Sequence, residues 1–411
     1  MLGPADAERS KQYTGDVVWG GPVHTAYVPA HHFQQGTIAS WSEQAIAALE
    51  EFAPGPAELA SATGIAPAVA DEVRPLVVAK LERQPVEDLR IDFEDGYGIR
   101  ADDVEDAHAR VAARALAAEL GQDTAPALCG LRCKSLESGT RRRAVRTLEL
   151  FLTALTETGR PVPPRFLITL PKVTSPAQVS AMDMLCSRLE AAYAAERPLR
   201  VRFEIQVETP QVILGADGAA TIARCVHAAH GRLAALHFGT YDYSAALGIA
   251  AGYQSMEHPA ADYAKAVMQV AAAGTGVRVS DGSSAVLPVG GRDQVTAAWR
   301  LHARLVRRSL ERGFYQGWDM HPAQLVSRYA ATFAFYREGL PAAAGRLRGH
   351  AGRAAAGQEE PATVRALAGF LLSGLNCGAF TEAEVTGQAG LSKGELMIAC
   401  ARGVLAGWEP G

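Results

Sequence analysis

Short stretches of apolar or alternating apolar and polar residues recur at nearly even intervals along this chain. Eight of them begin about 30 to 45 residues apart after a longer first gap, at residues 24–29, 89–95, 128–134, 165–172, 201–208, 233–239, 276–282 and 317–322. The segments between them, such as 104–120 and 144–157, are rich in Ala, Leu and Arg with helical periodicity. Eight strand and helix units in roughly 300 residues predict an α/β fold, a closed (β/α)8 TIM barrel.

Alternation within the strands predicts which side chains line the barrel. In residues 201–208, the apolar positions fall on one face, and Arg202, Glu204, Gln206 and Glu208 fall on the other. Residues 89–95 place Arg90, Asp92 and Glu94 together in the same way. Because an unpaired buried charge costs several kcal/mol, about 3–5 when a partner is removed, we expect internal ion pairs. Arg90, Asp92, Arg202 and Glu204 are therefore interpreted as structural.

The length of 411 residues exceeds that of one barrel. We expect the barrel in residues 1–330 and an α-helical C-terminal extension in 331–411 that serves as a lid or in oligomerisation. Thr381 is a candidate helix N-cap and Gly390 a candidate turn. The spacing resembles a helix-turn-helix, but the second helix supplies only Lys393 and Arg402 as basic residues, which argues against DNA binding.

Composition narrows the function classes further. The net charge of −4 and the pI near 6.3 predict no broad basic surface for nucleic acid or anionic lipid. No stretch approaches about 18 uninterrupted apolar residues, so we expect no membrane segment and a cytoplasmic location. The six cysteines show no CxxC spacing, which predicts buried thiols rather than a zinc knuckle or a redox pair.

The chemistry of a barrel of this kind is expected at the carboxyl ends of its strands. Two neighbouring strand ends each carry an acid, Glu208 after the fifth stretch and Asp242 after the sixth. Mg²⁺ is commonly held by one or two carboxylates with positions left for water and substrate. Gly239, which has no side chain, would let backbone amides approach a ligand. Alternatively, Glu208 pairs with an interior arginine and Asp242 caps the helix that begins near Tyr243.

The strand-end segments together resemble one enzyme family. DFED (92–95), LRCK (131–134), LPKV (170–173), VETP (207–210), HFGTYDYSAALG (237–248) and GWDMHPAQ (317–324) are similar to the citrate lyase β-subunit branch of the HpcH/HpaI aldolases, within the phosphoenolpyruvate/pyruvate barrel superfamily. The resemblance covers roughly residues 22–330. It implies that Glu208 and Asp242 bind Mg²⁺, with Mn²⁺ as an alternative, and that Arg132 holds a substrate carboxylate. Glu94 and Asp95 would order water or transfer protons, and Gly239, Thr240 and Tyr241 would contact the substrate.

The activity that the resemblance implies is a Mg²⁺-dependent carbon–carbon lyase or aldolase reaction through a metal-bound enolate. Its partners would be a 2-oxo acid with an aldehyde or an acyl-CoA, and the related lyases imply a homotrimer or homohexamer. Pyruvate aldolases of the superfamily carry a DGEH-like segment, whereas this chain has Asp95 in place of that His, as in the citrate lyase and malyl-CoA lyase branch. The general base is therefore open, with His31 and His32 as candidates or as ordinary loop residues.

Three questions stay open at this point. CoA use is undecided, because WDMHP (318–322) resembles a segment of the CoA-using branch while loops expected near 254–263 and 340–360 would reshape the mouth. A malyl-CoA-type thioesterase is a second enzymatic interpretation. A non-catalytic oxo-acid-binding protein is the third, although the carboxylate pair together with Arg132 favours an enzyme.

Overall fold

The computed structural model describes residues 2–13, 15, 20–194, 199–354 and 360–403. One strand lies within, or within one residue of, each of the eight stretches predicted from the sequence, and most are shorter by a few residues. They are β1 (His24–Pro29), β2 (Asp88–Asp92), β3 (Leu128–Arg132), β4 (Phe166–Leu170), β5 (Arg202–Val207), β6 (Leu233–Phe238), β7 (Arg278–Ser280) and β8 (Gly317–Asp319).

The eight strands form one parallel sheet in the order β7-β6-β5-β4-β3-β2-β1-β8. Two backbone hydrogen bonds link its ends. Asp281 N donates to Gln316 O at 2.8 Å, and Trp318 N donates to Gly282 O at 3.2 Å. The predicted (β/α)8 barrel is confirmed.

Helices connect the strands and cover the outside of the barrel. They are α1 (Gly3–Gln12), α2 (Thr37–Phe52), α3 (Pro56–Thr63), α4 (Pro67–Arg83), α5 (Asp102–Glu119), α6 (Arg141–Thr156), α7 (Pro176–Tyr193), α8 (Pro210–Ile213), α9 (Thr221–Ala228), α10 (Thr240–Ala246), α11 (Pro259–Ala272), α12 (Arg292–Glu311), α13 (Gln324–Ala354), α14 (Pro361–Cys377), α15 (Glu382–Ala389) and α16 (Lys393–Arg402), with a 3-10 helix at Ala251–Tyr253. The long first gap in the sequence holds α2, α3 and α4.

The predicted alternation along β5 is observed. Phe203, Ile205 and Val207 point outward into the apolar core and are fully buried, each contributing about 1.5–3 kcal/mol by leaving water. Glu204, on the inner face, lies 2.8 Å from Arg90 Nη2. Arg90 also contacts Asp88 at 2.5 Å, so the expected internal ion pairs are present. Arg202 is the exception, since it forms no ion pair with a carboxylate of the described residues.

The C-terminal helices pack beside the amino-terminal ends of the strands. Tyr329 of α13 donates its hydroxyl hydrogen to Pro85 O at 2.9 Å, just before β2, and Asn376 of α14 lies against Gly20, just before β1. Helix α13 runs unbroken through residue 330, where the sequence placed the domain boundary. The loop expected over 340–360 is helix as far as Ala354, because its Ala and Arg residues favour helix. Residues 355–359 and 404–411 lie outside the described residues.

Capping residues bound α15 as the sequence predicted. Thr381 accepts a hydrogen bond from the backbone of Glu384 at the start of α15, and Gly390 ends that helix with φ of 73°. A positive φ of this size favours glycine because it has no Cβ. No helix among the described residues is long and apolar enough to cross a membrane. The six cysteines are buried as predicted, and none is in a disulfide.

Candidate functional site

A cavity of about 410 Å³ lies at the carboxyl ends of the strands, where the sequence placed the chemistry. It is lined by Tyr27, Pro29, Asp92, Asp95, Gly96, Arg132, Glu208, Gly239, Thr240, Tyr241, Asp242, Ser283, Trp318 and Met320. The structure thus brings together all the residues that the family resemblance assigns to the site except Glu94, which lies beside the cavity within ion-pair distance of Arg132. The residues that line the cavity all belong to the barrel region, and the role of the tail as a lid or in oligomerisation stays a prediction.

Three carboxylates meet in this cavity. One oxygen each of Asp95, Glu208 and Asp242 lie within 4.8 Å of one another. Glu208 follows β5 and is buried, whereas Asp242 lies in the first turn of α10 and is partly exposed. Neither alternative role is observed: Gly239 is the residue before α10, and the described residues give Glu208 no arginine partner. Neither acid is therefore committed to an arginine or to a helix cap.

Lys172 occupies the space among these acids. Its Nζ lies 2.6 Å from Asp242 Oδ2, 2.9 Å from Asp95 Oδ2 and 3.5 Å from Glu208 Oε1. The backbone N of Lys172 also donates to Glu208 Oε1 at 2.7 Å. Its φ of 52° is a left-handed conformation that costs a residue with a Cβ about 1–2 kcal/mol. A cation is therefore already held where the three acids meet, and oxygen donors of this kind suit Mg²⁺. The donor set fits the implied metal.

Burial and neighbouring charges shift the pKa values of these acids. Burial raises the pKa of Glu208 to about 7, with a further contribution from Asp242. Burial likewise raises the pKa of Glu94 to about 8. Burial opposes ionisation of Asp95 too, but the hydrogen bond with Glu94 and the nearby Arg132 and Lys172 outweigh it and lower the pKa of Asp95. The site thus combines an ionised carboxylate with one that holds a proton near neutral pH.

Arg132, at the end of β3, is fixed by an interior acid. Its Nε and Nη2 donate to Asp92 at 2.7 and 2.6 Å, and the backbone N atoms of Glu94 and Gly96 also donate to Asp92. Asp92 is thus the structural ion-pair partner that the sequence predicted. The Nη1 atom faces Gln206 Oε1 at 3.3 Å and Glu94 Oε2 at 3.5 Å. Because one edge of the guanidinium is taken by Asp92, Nη1 is the atom that Arg132 offers to a ligand.

The end of β6 shapes the wall beside Glu208. A Cβ on Gly239 would lie 2.5 Å from Glu208 Cβ and 2.7 Å from its Oε2. The missing side chain therefore makes room for the carboxylate, where the sequence suggested room for backbone amides. Tyr241 accepts a hydrogen bond from the backbone N of Ala285. Thr240 Oγ1 and Trp318 Nε1 are buried without a hydrogen-bond partner among the described residues, which marks them as groups that a ligand would satisfy.

The histidines considered as general bases do not reach the cavity. The rings of His31 and His32 lie 3.9 Å apart, and His31 packs against Tyr97 and His108. Neither His31 nor His32 lines the cavity. Lys172 is the site residue that the sequence did not single out, although it stood in the LPKV segment at the end of the fourth stretch. The sequence carries no sign of its left-handed backbone, which directs its side chain among the acids.

Comparison with solved structures found several similar chains. A citrate lyase from Burkholderia xenovorans LB400 matches with a TM-score of 0.60 and 18% identity over 91% of this chain and 97% of that chain. Protein CitE from Mycobacterium tuberculosis, in complex with magnesium, acetoacetate and coenzyme A, matches with a TM-score of 0.47 and 15% identity over 87% and 98%. A Haloferax volcanii malate synthase matches with a TM-score of 0.47 and 14% identity over 75% and 74%.

The first of these matches confirms the predicted resemblance to the citrate lyase group at the level of the fold. Comparison with curated proteins found no match to this sequence. A family model described as a domain of unknown function matches residues 2–402, nearly the whole chain. By that match, the protein belongs to the DUF6986 family.

Proposed function

We propose that this protein is a Mg²⁺-dependent carbon–carbon lyase or aldolase acting on a 2-oxo acid or an acyl-CoA. The observation that carries the proposal is the group of Asp95, Glu208 and Asp242 around the ammonium of Lys172, next to Arg132 at the barrel mouth. The citrate lyase fold supports the same reaction class. Pure binding of an oxo acid would not need three acids beside the arginine that recognises its carboxylate.

Arg132 would bind and orient the substrate. Arg132 is 5% exposed and its guanidinium lies over the ring of Tyr27 at 5.0 Å, so a carboxylate bound to Nη1 would be shielded from water. Charge-assisted hydrogen bonds of this kind contribute about 1.5–3 kcal/mol. Asp92 fixes the guanidinium in advance, which reduces the loss of side-chain freedom on binding. Trp318 Nε1 and Thr240 Oγ1 offer further hydrogen bonds to the same ligand.

Glu208, Asp242 and Asp95 would hold the divalent cation. When bound, the cation supplies a Lewis acid that stabilises negative charge developing on a substrate oxygen. Gly239 keeps Glu208 in place by leaving room for its carboxylate. Lys172 balances the negative charge of the acids in the free protein.

Glu94 would hold the proton that the reaction moves. It is largely buried, with Oε2 3.5 Å from Arg132 Nη1 and Oε1 3.6 Å from Lys172 Nζ. With a pKa of about 8, its carboxyl group exchanges a proton near neutral pH, which suits a general acid or base. The carboxylate of Asp95, adjacent in the chain, has a lowered pKa because it accepts a hydrogen bond from the Glu94 carboxyl group, and the backbone N of Asp95 donates to Glu94 Oε2 at 3.0 Å.

Hydrogen exchange tests the proposed reaction class. Pyruvate and acetyl-CoA are each incubated with the protein and Mg²⁺ in D₂O, and loss of the methyl proton signal is followed by NMR. Formation of an enolate is common to cleavage and condensation, so we expect the protein to accelerate exchange in at least one substrate and chelation of the metal to stop it. Exchange no faster than in the protein-free control for both substrates would contradict the proposal.

Replacing Arg132 with Lys is expected to weaken oxo-acid binding by about 10- to 100-fold, the equivalent of about 1.5–3 kcal/mol. The ammonium preserves the charge beside Asp92 but cannot place a donor where Nη1 lies. Titration calorimetry with oxaloacetate in the presence of Mg²⁺ measures the change. The matched control is Arg143→Lys, which alters an arginine that pairs with Asp106 away from the cavity. Equal affinity in Arg132→Lys and wild type would refute the carboxylate assignment.

Replacing Lys172 with Met is expected to tighten Mn²⁺ binding by about tenfold. Two like charges about 4 Å apart repel by about 1 kcal/mol in bulk water and by about 4 kcal/mol near a protein surface. The ammonium of Lys172 must therefore move away before the metal ion can bind. Manganese EPR measures the free ion directly. Lys393→Met, at the start of α16 far along the chain from the cavity lining, is the control. Weaker binding in Lys172→Met would instead make the lysine part of the support for the metal ligands.

A further inference from the structure

A second cavity of about 410 Å³ lies at the opposite end of the barrel, around the amino-terminal ends of the strands. Three arginines line it: Arg202 begins β5, Arg278 begins β7, and Arg165 directly precedes β4. Gly20, Gly21 and Asn376 contribute to its rim. Nothing in the chemistry at the barrel mouth uses these arginines.

Two of the arginines have buried nitrogen atoms that are not satisfied. Arg278 Nε and Nη2 are buried and have no hydrogen-bond partner among the described residues, and the same holds for Arg202 Nε. Arg202 Nη2 donates to Leu233 O at 3.0 Å. Buried donors without partners are rare in native proteins, because the hydrogen bonds that they lose to water are not replaced. Three such donors on two neighbouring arginines indicate a ligand that accepts hydrogen bonds.

The acids nearest to this cavity pair directly with other cations. Asp88 and Glu204, two buried acids inside the barrel, both form ion pairs with Arg90. Glu87, which also lines the cavity, pairs with Lys80 at 2.6 Å. Arg202 and Arg278 form no ion pair with any carboxylate of the described residues. Burial lowers the pKa of Arg278 even though Asp88 and Glu204 act in the opposite direction, and burial together with Arg278 lowers the pKa of Arg202. An anion would remove this unfavourable concentration of positive charge.

The backbone leaves space for this arrangement. A Cβ on Gly21 would lie 2.8 Å from Arg278 Cδ, so the arginine reaches its position only because residue 21 has no side chain. An apolar cavity of about 230 Å³, with Val277 and Tyr336 in its wall, adjoins the first and shares Gly20, Gly21, Pro22 and Arg278 with it. Arg278 thus lies at the border between a polar and an apolar cavity.

We propose that the amino-terminal end of the barrel is a binding site for an oxyanion, a phosphate or carboxylate group, held by Arg202 and Arg278 with Arg165 at the entrance. Guanidinium groups present several planar donors that match the oxygens of such groups. The site is separate from the cavity that contains Asp95, Glu208 and Asp242, which lies at the other end of the strands. The proposal does not depend on the activity proposed above.

Titration calorimetry of the metal-stripped, full-length protein with inorganic phosphate tests this site, with chloride used to keep the ionic strength constant. We expect one phosphate per chain and at least tenfold weaker binding in Arg202→Gln and Arg278→Gln. Arg165→Gln, at an exposed residue, is expected to weaken binding by about two- to fivefold. Arg146→Gln, on the exposed face of α6, is the control. No phosphate binding, or binding unchanged in all three cavity variants, would overturn the proposal.

Two additions keep the test decisive. Butyl phosphate is titrated in the same way. It binds more tightly than inorganic phosphate if the adjoining apolar cavity holds the organic part of the ligand. It binds with the same affinity if the site holds a free anion. If Arg278→Gln fails to fold, a wild-type crystal soaked in selenate locates the anion by the anomalous signal of selenium. A signal beside Arg202 and Arg278 supports the site, whereas a signal only elsewhere refutes it.

Discussion

Glu208→Gln is expected to weaken Mn²⁺ binding by at least about 100-fold and to abolish metal-dependent turnover, with the fold unchanged. The amide keeps the size of the side chain, and its oxygen can still accept the hydrogen bond from the backbone N of Lys172. It removes the buried negative charge at the point where Asp95, Glu208 and Asp242 converge. Groups that only support a metal ligand typically contribute about 10- to 100-fold to metal affinity. A residue that itself binds the metal is expected to contribute at least as much.

Two measurements separate the metal site from the fold. Calorimetry with Mn²⁺ gives the affinity, and urea unfolding gives the stability of the same variant. The control is Glu257→Gln, which removes a surface carboxylate paired with Arg304. Because this pair is remote from the site, metal affinity should stay within about twofold of wild type. Exposed pairs contribute roughly 0–1 kcal/mol to stability, so the free energy of unfolding should change by no more than that. Wild-type metal affinity in Glu208→Gln would exclude Glu208 as a ligand.

Arg90→Met is expected to destabilise the barrel by about 3–5 kcal/mol. Arg90 is fully buried and donates to both Glu204 oxygens, at 2.9 and 2.8 Å, and to Asp88 and Thr169. Methionine fills much of the space but leaves two buried carboxylates without their cation. The free energy of unfolding from urea titration, with circular dichroism as the signal, measures the loss.

A second substitution shows whether this loss is electrostatic. Arg90→Met combined with Glu204→Gln should be less destabilised than the sum of the two single variants, because the double variant no longer contains the stranded charge of Glu204. Arg74→Met, which breaks a surface pair with Glu50, should cost only about 0–1 kcal/mol. Additive effects of Arg90→Met and Glu204→Gln would show that packing, not charge, accounts for the role of Arg90.

Periodicity was enough to predict the barrel because buried parallel strands impose it on their residues. The alternation along β5 correctly placed Glu204 inside and Phe203 outside, and the strand ends correctly grouped Glu208 with Asp242. What periodicity does not encode is the direction of side chains set by tertiary contacts. The position of Lys172 depends on a positive φ, and the orientation of Arg132 depends on Asp92, forty residues away in sequence.

The C-terminal extension shows the same limit. Its helix caps at Thr381 and Gly390 could be predicted, because capping is a local property. Its location beside the amino-terminal ends of the strands could not, since that depends on contacts such as Tyr329 with Pro85 and Asn376 with Gly20. The predicted trimer or hexamer, in which a tail covers a neighbouring subunit, stays a prediction that sedimentation would test.

The unpaired charge of Arg202 could not be predicted either. The sequence indicates that this arginine points inward but not whether an acid reaches it.

The central claim is that the three acids and Arg132 together form a metal-dependent oxo-acid site. Calorimetric titration of the metal-stripped protein with pyruvate and oxaloacetate, each with and without Mg²⁺ or Mn²⁺, tests it most directly. We expect an oxo acid to bind to the protein only when the metal is present. Binding of neither oxo acid in any condition, or equal binding with and without metal, would contradict it.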